Sequence, residues 1–215
     1  GADDLTRRIV PNAEWTYLAE GANGLNRSTG VKGYEIMNLD GVKVAFIGSV
    51  TDDMPNLVSP ADIAGITWEN PVSAINMRAK ALTDSGEADV VIALPHEGNI
   101  DPSAWSEHVD AVFMGHTHQY VDPTGDSPLI IQAAQYSQGL ANVNFSYDPS
   151  TDTLTVKKAE LLRPADIVDC DTPNAEIQAV IDTAKAAAAA AGAEVIGTLD
   201  SPLYRGANAG ADSGS

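Results

Sequence analysis

Two unbroken apolar runs, Val90–Leu94 (VVIAL) and Ala111–Met114 (AVFM), each stop within two residues of a histidine. Continuous apolar runs, as opposed to alternating ones, mark strands buried on both faces, the habit of parallel sheets. Gly41–Gly48 (GVKVAFIG) is a further strand, with Val42, Val44, Phe46 and Ile47 apolar. Between them Asn70-Pro71 reads as an N-cap followed by proline at the first helical position. Val72, Ile75, Ala79 and Leu82 then recur at helical spacing until Gly86, which terminates the helix. Strand 42–47, helix 71–85 and strand 90–94 therefore predict a βαβ unit. Strands 42–47, 90–94 and 111–114 are expected as neighbours in one sheet, with the helix on a face.

That sheet fixes where chemistry can sit. Ligands in open α/β sheets bind outside the carboxyl ends of the strands. Pro95 stops the first strand and His96 follows it directly, while His116 and His118 follow another strand end after the turn at Gly115. Neutral imidazole is the commonest metal ligand in proteins, so the three histidines are expected to converge on one edge as metal ligands. A lone loop histidine would only face water; three at matching strand ends favour a metal. Thr117 carries a hydroxyl suited to orienting one imidazole. Glu97 is either an outer support or a solvated loop carboxylate, and Gln119 and Asp122 stand under the same two readings. His108 lies in Asp101–His108, expected as a short helix with Trp105 on its buried side, and is expected outside the cluster.

Residues 1–40 read as mostly loop, with short strands at Trp15–Ala19 and Tyr34–Met37. Ser49–Gly65 is a polar loop near the strand ends. Leu129–Ala133 and Asn142–Tyr147 are further strands, and Asp148-Pro149-Ser150 turns the chain into Thr153–Val156 as a hairpin. Thr172-Pro173 again reads as N-cap plus proline, opening a helix that runs through six alanines (186–191) to Gly192. Gly206–Ser215 is of low complexity, with mobility expected. The net charge of −18 argues against a groove for nucleic-acid phosphates, which needs clustered Lys and Arg. No apolar run approaches the roughly 20 residues of a membrane span. Cys170 is the single cysteine, so no internal disulfide forms. Neither G-x-S-x-G, a P-loop nor GxGxxG is present.

Pro-His-Glu-Gly (95–98) and Gly-His-Thr-His (115–118) resemble the last two signature blocks of the calcineurin-like metallophosphoesterases, and specifically the secreted bacterial 5′-nucleotidase group. Similarity continues through 41–60, 129–148 and 194–205. The resemblance implies an α/β fold: the C-terminal part of a four-layer αββα domain with mixed sheets, followed by an interdomain helix. Residues 1–165 would be the C-terminal portion of the catalytic domain, 166–193 the interdomain helix, and 194–215 the truncated start of a second domain with a mobile tail. By the same resemblance His96 and His116 would bind one ion and His118 the other.

The family's Asp-x-His, Gly-Asp and Gly-Asn-His-Glu blocks do not occur here, and Gly1-Ala2-Asp3-Asp4-Leu5 resembles the stretch just after the third. The chain is thus expected to be a piece of a larger protein, whose missing N-terminal segment and C-terminal domain are its partners. The bridging Asp, the Asn ligand and the catalytic His would lie in the missing blocks, so no catalytic residue is expected in these residues. Two divalent ions, zinc or manganese, would serve the parent, and at most one this fragment. The implied activity is hydrolysis of a 5′-nucleotide, a 2′,3′-cyclic nucleotide or a related phosphate ester by an extracellular, periplasmic or cell-wall protein. The competing expectation is a non-catalytic extracellular module that keeps the fold and at most one zinc.

Overall fold

The computed structural model describes residues 1–25, 29–125, 127–167 and 172–201. Cys170 and the tail beyond 201, Gly206–Ser215 included, lie outside the described residues. The chain divides into two compact units, Gly1–Ile167 and Val168–Ser215.

The first unit opens with α1 (Ala2–Asp4), continued by a π-helical turn (Leu5–Ile9) and a 3-10 turn (Val10–Asn12). There follow β1 (Ala22–Asn23), β2 (Tyr34–Leu39), β3 (Val42–Val50), α2 (Met54–Leu57), β4 (Thr67–Trp68), α3 (Pro71–Asp84) and β5 (Val90–His96). The unit closes with β6 (Ala111–Met114), β7 (Tyr120–Thr124), β8 (Leu129–Ala133), β9 (Leu140–Asp148) and β10 (Thr153–Leu162). A six-stranded mixed sheet has the order β2-β3-β5-β6-β8-β7, in which β3, β5, β6 and β8 run parallel and the two edge strands antiparallel. The three strands expected as neighbours are neighbours.

Alternation along the buried strands divides their side chains between two cores. Ala45, Ile47, Val91, Ala93, Val112 and Ile130 face α3, which contributes Ile75, Ala79 and Leu82. Asn70 caps that helix, its side-chain oxygen accepting from the Ser73 N–H at 3.1 Å, with Pro71 at the first position. Full burial of an Ile or Leu side chain contributes about 1.5–3 kcal/mol relative to exposure, so this face anchors the helix. Val90, Ile92, Ala111 and Leu129 face the other way, against Val143, Phe145, Tyr147, Leu154 and Val156 of the antiparallel β9–β10 hairpin. The layers described are therefore helix, six-stranded sheet and hairpin. β9 and β10 outrun the expected 142–147 and 153–156 at both hairpin arms.

Four local expectations are corrected. Residues 2–12 are helical, not loop: Ala2, Leu5 and Val10 pack on Ala19, Ala22, Leu25 and Val31, and Arg8 pairs with Asp4 four residues back at 2.6 Å. Trp15–Ala19 is not a strand; only Leu18 forms an isolated bridge, to Lys32. Asp101–His108 is a single 3-10 turn, Pro102–Ala104, because the Asp101 carboxylate accepts from the Ser103 N–H and hydroxyl. Trp105 is extended and buried there, and Asn76 of α3 clamps the segment through the Ala104 carbonyl and the Ser106 N–H. Pro95 does not stop its strand: β5 runs on through His96, paired with Val50, where β6 has already parted from it after Ala93.

In the second unit, α4 (Ala175–Ala191) is capped by Asn174, whose side-chain oxygen accepts from the Glu176 and Ile177 N–H groups at 3.0 and 3.1 Å. The cap is thus two residues beyond Thr172. The asparagine accepts two of the helix's free amide groups at once, the reason such residues lead at this position.

Candidate metal centre

The carboxyl ends of β5, β6 and β8 lie along one edge of the sheet, and each is followed by strained backbone. Eight described non-glycine residues have positive φ; six of them, Asn99, His116 (67°), His118 (59°), Ala134, Tyr136 and Ser137, belong to these three loops. The other two, Asp40 and Asp152, sit in hairpin turns. A left-handed non-glycine residue costs of order 1–3 kcal/mol and persists where its surroundings over-determine it, commonly at ligand sites.

His96 and His116 come together, their ring centroids 5.4 Å apart in an edge-to-face arrangement. Glycine permits the approach: a Cβ on Gly115 would lie 3.2 Å from His96 Nδ1. Part of the His96 ring reaches solvent. Burial of the rest, first, and the charge of His116, second, hold its pKa below the ordinary histidine value, with His118 acting in the same sense and Glu97 opposing. The free base, the form that ligates metals, is therefore favoured. His118 stands against Tyr136, centroids 5.5 Å apart. His108 lies elsewhere, its Nδ1 2.8 Å from the Thr83 hydroxyl at the end of α3.

The two histidine loops meet the end of β8 at the buried Gln132. Thr117 does not reach an imidazole in any described hydrogen bond; its hydroxyl bonds the side-chain amide of Gln132. Gln132 Nε2 also donates to the Gln119 carbonyl at 2.9 Å. A Cβ on Gly98 would lie 2.5 Å from Thr117 Oγ1 and 2.9 Å from Gln132 Oε1, so only glycine fits. The Gly115 N–H donates to the Glu97 carbonyl at 3.1 Å, tying the two histidine loops. Glu97's carboxylate is taken up locally by the Gly98 N–H. Asp122 is drawn off by Arg163, whose Nη2 donates to both carboxylate oxygens at 3.0 Å. Gln132 escaped sequence reasoning, although one polar residue closing the apolar run Leu129-Ile130-Ile131 was the available signal.

Imidazole ligands at a sheet edge suit a borderline ion such as zinc. Among the described residues no three His, Cys, Asp or Glu side chains are grouped so as to hold an ion by themselves.

No family model matches the sequence. The chain is 28% identical over 186 residues to endonuclease YhcR of Bacillus subtilis, covering 75% of this chain and 15% of that protein. It is 27% identical to the trifunctional nucleotide phosphoesterase protein YfkN of the same organism, covering 71% and 11%. Against the cell wall protein Lmo0130 of Listeria monocytogenes identity is 28%, covering 76% and 24%. The crystal structure of a 5′-nucleotidase precursor from Thermus thermophilus superposes with a TM-score of 0.69 at 16% identity, over 88% of this chain and 41% of that one. Its relatives and structural neighbours include 5′-nucleotidases and a calcineurin-like phosphoesterase. The chain spans between 11% and 24% of the three curated relatives. The mixed sheet is the fold shared with the Thermus thermophilus structure.

Proposed function

We propose that the chain is part of a metal-dependent phosphoric ester hydrolase, a 5′-nucleotidase or 2′,3′-cyclic nucleotide phosphodiesterase, in which His96, His116 and His118 are metal ligands. The observation that carries this reading is the meeting of His96 and His116 at 5.4 Å on the carboxyl edge of the parallel strands, with His116 and His118 both in the left-handed conformation. The likeness to YfkN, a nucleotide phosphoesterase, supplies the substrate class. His96 and His116 serve one ion and His118 a second, with further ligands, including the bridging carboxylate, from the rest of the parent. Zinc or manganese at such a pair supplies charge stabilisation to the attacking and leaving oxygens of an in-line displacement. The chain's own residues present the imidazoles on loops whose backbone is fixed by hydrogen bonds to neighbouring elements. Glu97, Thr117 and Gln119 act outside the ligands, as backbone and hydroxyl supports of the two loops.

The domain assignment follows from the same reading: residues 1–165 close the catalytic domain, 166–193 form the interdomain helix, and 194–215 begin a second domain. The parent works outside the cytoplasm, in the wall, the periplasm or the medium, a placement supported by the Listeria cell wall relative. No described helix is long and apolar enough to cross a membrane. The charge of −18 weighs against a nucleic-acid groove in these residues, and the endonuclease activity in YhcR's name stays with that protein. A second reading, a non-catalytic module with at most one zinc, draws on the lack of a three-ligand group among the described residues.

The test compares residues 1–215 with the full-length parent on a nucleoside monophosphate and an aryl phosphate, with added zinc or manganese. The parent is expected to turn over both and to stop on chelation, while the fragment stays inactive. The general acid–base group expected in the parent alone contributes about 10²–10⁴-fold. Metal-dependent turnover by the fragment would show that the essential groups lie within it. A parent fully active with His116→Ala would remove the ligand role, and an inactive parent would select the module.

A further inference from the structure

We propose that Gln132 is the positioning residue of this centre: its buried amide holds the His116-Thr117-His118 loop in the left-handed conformation that presents both imidazoles. The proposal rests on the reading of those histidines as ligands. Gln132 is 1% exposed in a strand whose preceding residues are Leu129, Ile130 and Ile131. A buried amide is destabilising unless hydrogen-bonded, and this one is bonded to a single loop. Its Nε2 lies 2.9 Å from Thr117 Oγ1 and 2.9 Å from the Gln119 carbonyl oxygen, and the Thr117 hydroxyl lies 3.1 Å from its Oε1. Thr117 stands between the two left-handed histidines, and Gln119 directly follows the second.

The grip continues into the neighbouring loops. The Gln119 carbonyl also accepts from the Ala134 N–H at 3.0 Å, so β8 and the residue that follows it hold the loop through both side chain and backbone. Gly98 packs against the Thr117–Gln132 pair with no room for a Cβ, which brings the His96 loop to the same point. Gln132 is hydrogen-bonded to neither histidine among the described contacts. It acts through Thr117 and the backbone, as the outer supports of metal ligands do.

The experiment uses Gln132→Met, which keeps the side-chain length and removes the amide, together with Thr117→Val and the double variant, all in the 215-residue chain. Two quantities are measured: amide hydrogen exchange at Gly115 and Ala134, and zinc affinity by competition with a chromogenic chelator. Core amides of α3 and β5 serve as the internal control for folding. Loop protection is expected to fall at least tenfold with the core unchanged, and zinc affinity to fall about 10–100-fold. The double variant is expected to lose no more than the worse single one, because both substitutions break the same link. Wild-type protection and affinity in Gln132→Met would overturn the proposal, as would losses in the double variant that multiply. Should Gln132→Met fail to fold, Thr117→Val on the loop itself gives the same readout. If the wild-type chain binds no zinc, the affinity comparison moves to the full-length parent, where failure to bind metal would refute the ligand reading, and the exchange data would still decide whether Gln132 holds the loop.

Discussion

On the face of the sheet covered by α3, Ile47, Ile75, Ala79, Val91, Ala93 and Val112 are completely buried, and none has a left-handed backbone. At the carboxyl edge of the same strands the pattern inverts. Six non-glycine residues are left-handed there, Tyr136 is 81% exposed, and the buried side chain that joins the loops is an amide. The first region gains stability from apolar burial in relaxed backbone. The second spends some of that stability to hold polar groups in positions the chain would not otherwise adopt. The contrast locates function at the edge and predicts that substitutions in the two regions separate stability from ligand binding.

The largest effect is expected on the helix face. Ile75→Ala removes a fully buried side chain and should destabilise the first unit by about 2–5 kcal/mol, the range for large-to-small core substitutions. Zinc affinity, measured at a temperature where the variant remains folded, should match the wild type. A variant that loses zinc binding while folded would break the separation, because the edge would then depend on the helix-face packing.

His116→Gly makes the reverse test at a smaller scale. The left-handed φ of 67° is disfavoured for histidine by roughly 1–2 kcal/mol and is free for glycine, whose extra backbone entropy in the unfolded chain takes back roughly 0.5–1 kcal/mol. Stability is expected to hold or rise by up to about 1 kcal/mol in denaturant titration while zinc affinity is lost. His116→Ala, which removes the ring and keeps the strain, should lose zinc without that gain. A glycine variant less stable than the alanine one would mean that the loop is not strained at this residue.

The helix face was also the more legible region. Unbroken apolar runs and helical spacing place β3, β5, β6 and α3 nearly residue for residue, because burial on both faces leaves a signal in the residues themselves. Pro95 misled by its reputation as a strand breaker; pairing on one side only, with Val50 and Ser49 of β3, accommodates a residue without an N–H. Asp101–His108 misled because its helical look is overridden by contacts with α3 from Asn76 and Thr83, partners far away in sequence. The glycines of 21–33 drew the reading of residues 1–40 toward loop and concealed the helical start that Leu5 and Val10 anchor. At the edge, the Gly-His-Thr-His motif points at the histidines but not at Gln132, whose role depends on which strand end comes to lie beneath Thr117.

The smallest effect concerns Asp110, just before β6, whose carboxylate accepts from the Val91 N–H at 2.8 Å. Burial, the leading cause, raises its pKa above the ordinary 3.8, while the bond from Val91 works against the rise. The sign follows from linkage. A carboxyl group whose pKa is higher in the folded state binds its proton more tightly there, so stability falls as pH rises from the ordinary value through the raised one. Above that window the folded protein carries the full unfavourable contribution of the ionised group; below it the contribution vanishes. Asp110→Asn keeps an oxygen to accept from Val91 and removes the charge. It is expected to raise the melting temperature at pH 7 by about 1–2 °C, a fraction of the 2–4 °C that 1 kcal/mol gives in a chain of this size. The gain should shrink to nothing as the pH is lowered through the window, with zinc affinity untouched at pH 7. A variant less stable than the wild type at pH 7 would show that the charged bond to Val91 outweighs burial, and that even the loop leading into β6 is held by polar contacts as the opposite end of that strand is.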